Sequence, residues 1–280
     1  MLENLTIIIV TYNEELRIER CLDSLVGICE NIFVVDSQST DKTTEILDDR
    51  GIKHTQHEFI TYSEKRNWSQ NNNPFNTEWV MHLDADEPIT HELASWLVND
   101  FPIACKKYDG FMFSRRAYFL GRWMKHGMQY PIFHLRLYKA SLGMCEEKAY
   151  DSHFVIQSEN VKSINGADIH NVVAESLSDF IVSHDKWSTL EAKEISEGGK
   201  KGDVVAKLFG NPIERRRWFK ANVFEKSPMF LRGFALFFYR YFIRLGFLDG
   251  KEGLIYHVLQ AFWFRFLIDA KVYECTKNKK

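Results

Sequence analysis

Residues Val80–Thr90 read VMHLDADEPIT. A mostly apolar run of the kind that fills a buried strand leads straight into Asp84-Ala85-Asp86-Glu87, and Pro88 follows. Three carboxylates in four residues at the end of a buried strand are costly unless positive charge comes to meet them. The fold and the function therefore both turn on what this strand end faces.

Working outward, the same grammar recurs. LTIIIV at Leu5–Val10 is a β-branched run suited to a strand buried on both faces, and TYNEE follows it. An amphipathic stretch runs from Leu16 to Leu25. Ile32–Val35 is a second strand, followed by DSQSTDKT and a helix restarting at Thr43–Leu47. Ile52–His54 reads as a strand, Lys65–Ser69 as helical and Trp79–Leu83 as the fourth strand. Strands alternating with helices predict an α/β sheet with parallel pairing. Ligands in such sheets bind beyond the carboxyl ends of the strands. Three polar clusters fall there: Thr11 to Glu14, Asp36 to Asp41 and Asp84 to Glu87. Capping explains any one of them equally well, since Asn13, Glu14, Ser39 or Asp41 can each start a helix. Two aspartates at i and i+2 leaving a strand are harder to read as caps. They can aim two hard oxygen groups into one volume, which suits Mg²⁺ or Mn²⁺ with a substrate phosphate.

Composition excludes other classes. The formal charge of −2 lacks the basic surplus of a nucleic-acid binder, so no nucleic-acid partner is expected. Five scattered cysteines without a C-x-x-C give neither a zinc knuckle nor a disulfide framework, and fit a reducing compartment. No P-loop and no G-x-G-x-x-G is present. No signal peptide is visible, and no run approaches the ~18 apolar residues of a spanning helix. The polar, glycine-rich stretch Lys193–Asp203 sets the expected boundary: 1–203 a catalytic domain, 204–280 a basic, aromatic helical extension for a membrane interface or a second subunit. Asp168–Glu194 reads as a loop, with His170 at the mouth of the site, then a helix with His184, Trp187 and Ser188 covering it.

TIIIVTYNEELRIERCLDSL, IFVVDSQSTDKTTEI, EKRNW and WVMHLDADE together resemble family 2 glycosyltransferases of the GT-A fold, an α/β fold with a mixed, mostly parallel sheet flanked by helices. YFLGRWMKHGMQYPIFHLRLYK, CEEKAYDSHF and GFLDGKEGL are similar to the branch that builds bacterial lipopolysaccharide cores and surface polysaccharides. The resemblance implies an inverting transfer from a nucleotide-diphospho-sugar, with UDP favoured, to a hydroxyl of a glycan or lipid-linked glycan acceptor. It implies a cytoplasmic enzyme held peripherally at the inner membrane, with homo-oligomerisation through the C-terminal helices as an option.

The resemblance also implies residue roles. Thr11, Tyr12, Asn13 and Glu14 match the segment along the donor nucleoside. Asp36, with Ser39, matches the acidic position for base or ribose. Lys65, Arg66 and Asn67 match a segment near the diphosphate. Asp84 and Asp86 match the D-x-D, the first facing the ribose and the second binding the metal; His153 is a candidate to complete its shell. The base is expected in CEEKAYDSHF, ranked Glu147, then Asp151, then Glu146. Relatives often carry Asp where this chain has Glu147, which leaves the order open. Arg136, Trp123 and His126 are the expected acceptor or phosphate contacts. Two other readings compete: a nucleotidyltransferase, whose basic glycine-rich loop TYNEE does not resemble, and a non-catalytic carbohydrate-binding protein.

Overall fold

The structure is a computed structural model that describes residues 1–147, 152–174, 176–197 and 206–277. It divides into two compact units. The first holds Met1–Arg115, Phe133–Glu147 and Ser152–Asn171; the second holds Arg116–Ile132 and the described residues from Val172 onward.

In the first unit β1 (Leu5–Thr11) is buried along its whole length, as its β-branched run requires. It is followed by α1 (Ile18–Asp23), β2 (Ile32–Asp36), α2 (Thr43–Asp49), β3 (Lys53–Gln56), α3 (Tyr62–Asn71) and β4 (Trp79–Asp84). α4 (His91–Asn99) and α5 (Phe101–Ala104) come next. β5 (Gly110–Phe119) begins in this unit and ends in the second, where β6 (Arg122–Trp123) folds back on it. β7 (Phe133–Lys139), β8 (Gly143–Cys145), β9 (Phe154–Ile156) and β10 (Val161–Ala174) complete the strands.

The sheet order is β10-β5-β7-β4-β1-β2-β3. β4, β1, β2 and β3 are parallel neighbours, while β7 joins β4 and β5 in antiparallel fashion. Register fixes the functional edge: Thr11 pairs with Asp36, and Val10 pairs with Asp84. The carboxyl ends of β1, β2 and β4 thus stop at one level. Beneath them Ile7, Ile9, Val34, Met81, Leu83, Phe111 and Leu137 form one apolar core. Each such side chain contributes about 1.5–3 kcal/mol on burial.

The second unit is helical: α6 (Leu177–Ser196), α7 (Pro212–Phe219), α8 (Leu231–Phe238), α9 (Gly250–His257) and α10 (Phe264–Lys277), with π-helical turns over Lys220–Phe224, Tyr239–Ile243 and Val258–Trp263. Phe119, Met124, Phe180 and Tyr256 make one of its cores, and Ala192, Phe264, Ile268 and Val272 another.

The structure corrects two local readings. Asp168–Ala174 is the end of β10 rather than a loop, because Asp168 exchanges hydrogen bonds with Thr90 and the His170 N–H donates to the Pro88 carbonyl. Lys193–Ser196 belongs to α6 rather than to a linker. The expected boundary at 203/204 lies outside the described residues. His184 is buried within the second unit, its ring stacked on Phe180 at 3.6 Å and bonded to Gln260 at 2.7 Å.

His82 on β4 stores a pH dependence. Its ring lies 4.4 Å from that of Phe154 and 5.8 Å from that of Tyr138, and only Nε2 has a hydrogen-bond partner among the described residues, Gln70. Burial first, then the positive charge of Arg66 and Arg136, pushes its pKa down to about 3 from the usual 6.5. The unfolded chain takes up this proton near pH 6.5 and the folded one only near pH 3. Stability supplied by neutral His82 is therefore present above pH 6.5 and is lost as pH falls toward 3. Urea midpoints measured from pH 7 to pH 4.5 should fall with acidification, and His82→Leu should flatten that slope.

Candidate active site

The loops after β1 and β2 are zipped together. Asn13 sits at positive φ (53°), a conformation asparagine tolerates. Its N–H donates to Ser39 Oγ at 2.8 Å, and its Oδ1 accepts from the Thr40 N–H at 2.8 Å. The N–H of Glu14 donates to Thr43 Oγ1, and that of Glu15 to Asp41. Asp36 is fully buried and accepts from both the N–H and the hydroxyl of Ser39, at 2.8 and 2.5 Å. Tyr12 is exposed at the rim, while Thr11 is buried. The Glu14 carboxyl is pushed up by burial, against the pull of Arg17. These contacts build the turn; Asp41 also accepts the N–H of Thr43 at the start of α2, at 3.0 Å, as a capping carboxylate would, whereas Asn13, Glu14 and Ser39 are bonded across the two loops.

α3 carries three consecutive residues with three different tasks. Lys65 is buried, and its ammonium donates to the Thr11 carbonyl (2.7 Å) and Ser37 Oγ (2.6 Å), tying β1 to β2. Burial pushes its pKa down to about 8, opposed by Asp36 and Asp84. Arg66 grips Asp84 with one nitrogen 2.8 and 3.1 Å from its two oxygens. Asn67 bonds both backbone groups of Cys145, at 2.8 and 2.9 Å.

The acidic turn after β4 separates its carboxylates by partner. Burial would raise the pKa of Asp84, but Arg66 and Arg136 hold its carboxyl well below the usual range. Glu87 is fully buried. It receives Arg136 at 2.9 Å on both oxygens and Arg115 at 2.7 Å, and it accepts the Asp84 N–H at 3.2 Å. Arg115 in turn donates to Asn171 at 2.5 Å. Asp86 is half-buried and, among the described residues, has no hydrogen bond or ion pair. Burial, with Glu87, Asp84 and Glu14 adding their charge, pushes it up to about 7.

The structure thus gathers Thr11, Asn13, Glu14, Asp36, Ser39, Lys65, Arg66, Asp84, Asp86 and Arg136 of the expected set at one sheet edge. Glu146 is buried and accepts the His153 N–H at 3.0 Å, with the His153 ring 3.3 Å away. Glu147 is exposed, and Asp151 lies outside the described residues. No three metal-ligating side chains converge among the described residues, so Asp84, Asp86 and His153 do not form a ready-made shell. Trp123 and His126 belong to the second unit. There Trp123 lies under Arg116 and Lys125, and His126 bonds Asp249 at 2.6 Å. Sequence reasoning missed Glu87 and Arg115 as site residues. The signal available was a third carboxylate in the turn with no assigned counter-charge.

The model of glycosyl transferase family 2 matches residues 6–146, half of the chain. The chain belongs to glycosyl transferase family 2. It is a glycosyltransferase of the nucleotide-sugar-dependent kind, on an α/β fold whose mixed sheet has the parallel core β3-β2-β1-β4. This glycosyltransferase is 25% identical to an uncharacterized glycosyltransferase of Rickettsia typhi, over 100% of this chain and 90% of that one. It is also 25% identical to the lipopolysaccharide core biosynthesis glycosyltransferase LpsC of Rhizobium meliloti, over 96% of this chain and 92% of that one. Among solved structures it is similar to S. aureus TarS 1-349 in complex with UDP-GlcNAc, at 15% identity and a TM-score of 0.48, covering 99% and 92% of the two chains.

Glu87 holds two arginines and a backbone amide out of water, so losing its charge strands buried cations. Glu87→Gln should cost about 3–5 kcal/mol of stability, read from urea unfolding at pH 7.

Proposed function

We propose that this enzyme transfers a sugar, with inversion at the anomeric carbon, from a UDP-sugar to a hydroxyl of a lipopolysaccharide-core or lipid-linked surface glycan, working at the cytoplasmic face of the inner membrane. The observation that carries the reading is Asp86: a half-buried carboxylate without a hydrogen bond or ion pair among the described residues, beside two carboxylates already neutralised by arginine. The likeness to LpsC supports the acceptor class. The family resemblance supports UDP.

In this reading the loops after β1 and β2 take the nucleoside, with Asp36 and Ser39 fixing the turn it lies against. Asp86 fits Mg²⁺ or Mn²⁺, since a raised pKa and an empty hydrogen-bond shell are what a cation would relieve, and the donor's phosphates would supply further oxygens. Bound there, the ion would neutralise charge gathering on the departing diphosphate. Arg66 and Arg136 hold Asp84 ionised and fix the turn that presents Asp86. The acceptor oxygen attacks the anomeric carbon as its bond to the diphosphate breaks, and the hydroxyl proton passes to a carboxylate. Glu147 is our first choice for that base: it is exposed, next to a segment clamped by Asn67, whereas Glu146 is buried on His153.

Thermal shifts with UDP, GDP, dTDP and CMP, each with Mn²⁺ and with chelator, test the donor. A metal-dependent rise for UDP is expected, and Asp86→Ala should remove it while the ligand-free melting point stays within a few degrees. The same change should lower turnover by at least about 100-fold. Retained turnover at saturating Mn²⁺ would end the metal role. Glu147→Gln should keep the UDP shift and cut transfer by about 10²–10⁴-fold; a wild-type rate would move the base to Asp151.

A further inference from the structure

Leu231–Ile243 is one continuous helical run, α8 followed by its π-helical turn. One side is anchored inside the second unit. A Cβ at Gly233 would lie 3.2 Å from the Phe262 carbonyl, the Phe234 ring sits 4.2 Å from that of Phe262, and Arg232 is ion-paired with the buried Asp269. The other side is exposed among the described residues. Leu231 (64% exposed), Phe238 (57%) and Ile243 (59%) stand out with Phe242 at helical spacing. Leu245, Phe247, Leu248, Leu254 and Ile255 extend the same kind of exposed apolar surface through the following turn into α9. Exposed apolar runs of this size on a soluble chain mark a contact surface.

Charge selects the occupant. From Lys226 to Leu248 the sequence carries Lys226, Arg232, Arg240 and Arg244 and not one Asp or Glu. Arg232 is spent on Asp269, and Arg240 is half-buried, its Nε enclosed and without a partner among the described residues. Arg244 is exposed and, with the exposed Arg215, Lys226 and Lys251, takes part in no ion pair among the described residues. A second copy docking by twofold symmetry would set this cationic face against itself. No helix among the described residues is long and apolar enough to cross a membrane. A helix with an aromatic face and a cationic rim is instead suited to lie along a bilayer, its aromatics in the acyl boundary and its long cations at anionic headgroups.

We propose that the α8–α9 surface is a peripheral binding site for anionic phospholipid bilayers, inserted through Leu231, Phe238, Phe242 and Ile243 and held electrostatically by Arg244 and Lys251. It deepens the lipid-linked acceptor reading and rests on that reading only for its purpose.

The test is co-sedimentation of the full chain with vesicles of phosphatidylcholine alone or mixed with phosphatidylglycerol, without donor or acceptor. Binding to the anionic vesicles is expected, at least about tenfold weaker on neutral vesicles and weakened by salt. Phe238→Glu with Phe242→Glu should abolish it. Arg244→Glu, at an exposed position, should reduce it about fivefold or more. Both variants should keep the wild-type melting point and UDP response. Absence of wild-type binding to anionic vesicles would overturn the proposal. So would concentration-dependent dimerisation that the same substitutions abolish. Because no nucleotide enters the vesicle assay, failure here leaves the transferase reading standing, and failure of the UDP shift leaves this result interpretable.

Discussion

Two carboxylates and three guanidinium groups share the space under the β4 turn, and everything at the strand ends is arranged around keeping them paired. Asp84 has Arg66, and Glu87 has Arg115 and Arg136. Isolated, any of these charges would be too costly to leave at the edge of an apolar core. Three positive and two negative groups leave one positive charge over, which an ionised Asp86 cancels. The turn is thus neutral when Asp86 is charged, and Asp86 is its carboxylate without a hydrogen bond or ion pair among the described residues. Its pKa is raised first by burial and then by the negative charge of Glu87, Asp84 and Glu14, with Arg115 pulling the other way.

The parallel half of the sheet was readable because its strands are short, β-branched and followed at once by polar turns. Leu5–Val10, Ile32–Val35 and Trp79–Leu83 come within a residue or so of β1, β2 and β4, and the convergence of their ends follows from parallel pairing alone. β10 was not readable. Asn165, Gly166, Asp168 and His170 break any alternating pattern, and what makes the segment a strand is backbone pairing plus an exchange with Thr90 across the chain.

The same distinction runs through the site. Local motifs identify which residues are chemically capable; they do not say which are already engaged. In the sequence Glu87 is a third carboxylate of the turn with no role, and strands β5 and β7, far along the chain, supply the arginines that close it off. The resemblance sets Lys65 in a segment near the diphosphate, and its ammonium is occupied by Thr11 and Ser37. In the second unit the aromatic residues divide likewise: Phe119, Phe180 and Phe264 are interior, whereas Phe238 and Phe242 are exposed, though composition alone treats all five alike.

Lys65, Arg66 and Asn67 point roughly 100° apart around α3 and seat, respectively, in the β1–β2 junction, the β4 turn and the β8 backbone. A three-pin plug has the same property: with every pin home, it can neither twist nor slide in its socket. A rotation of α3 that eased one contact would pull on the other two. The spacing between the D-x-D turn and the Cys145–Glu147 segment is therefore gauged by one short helix, and a disturbance at Asp84 has a rigid route to the carboxylates beyond Cys145.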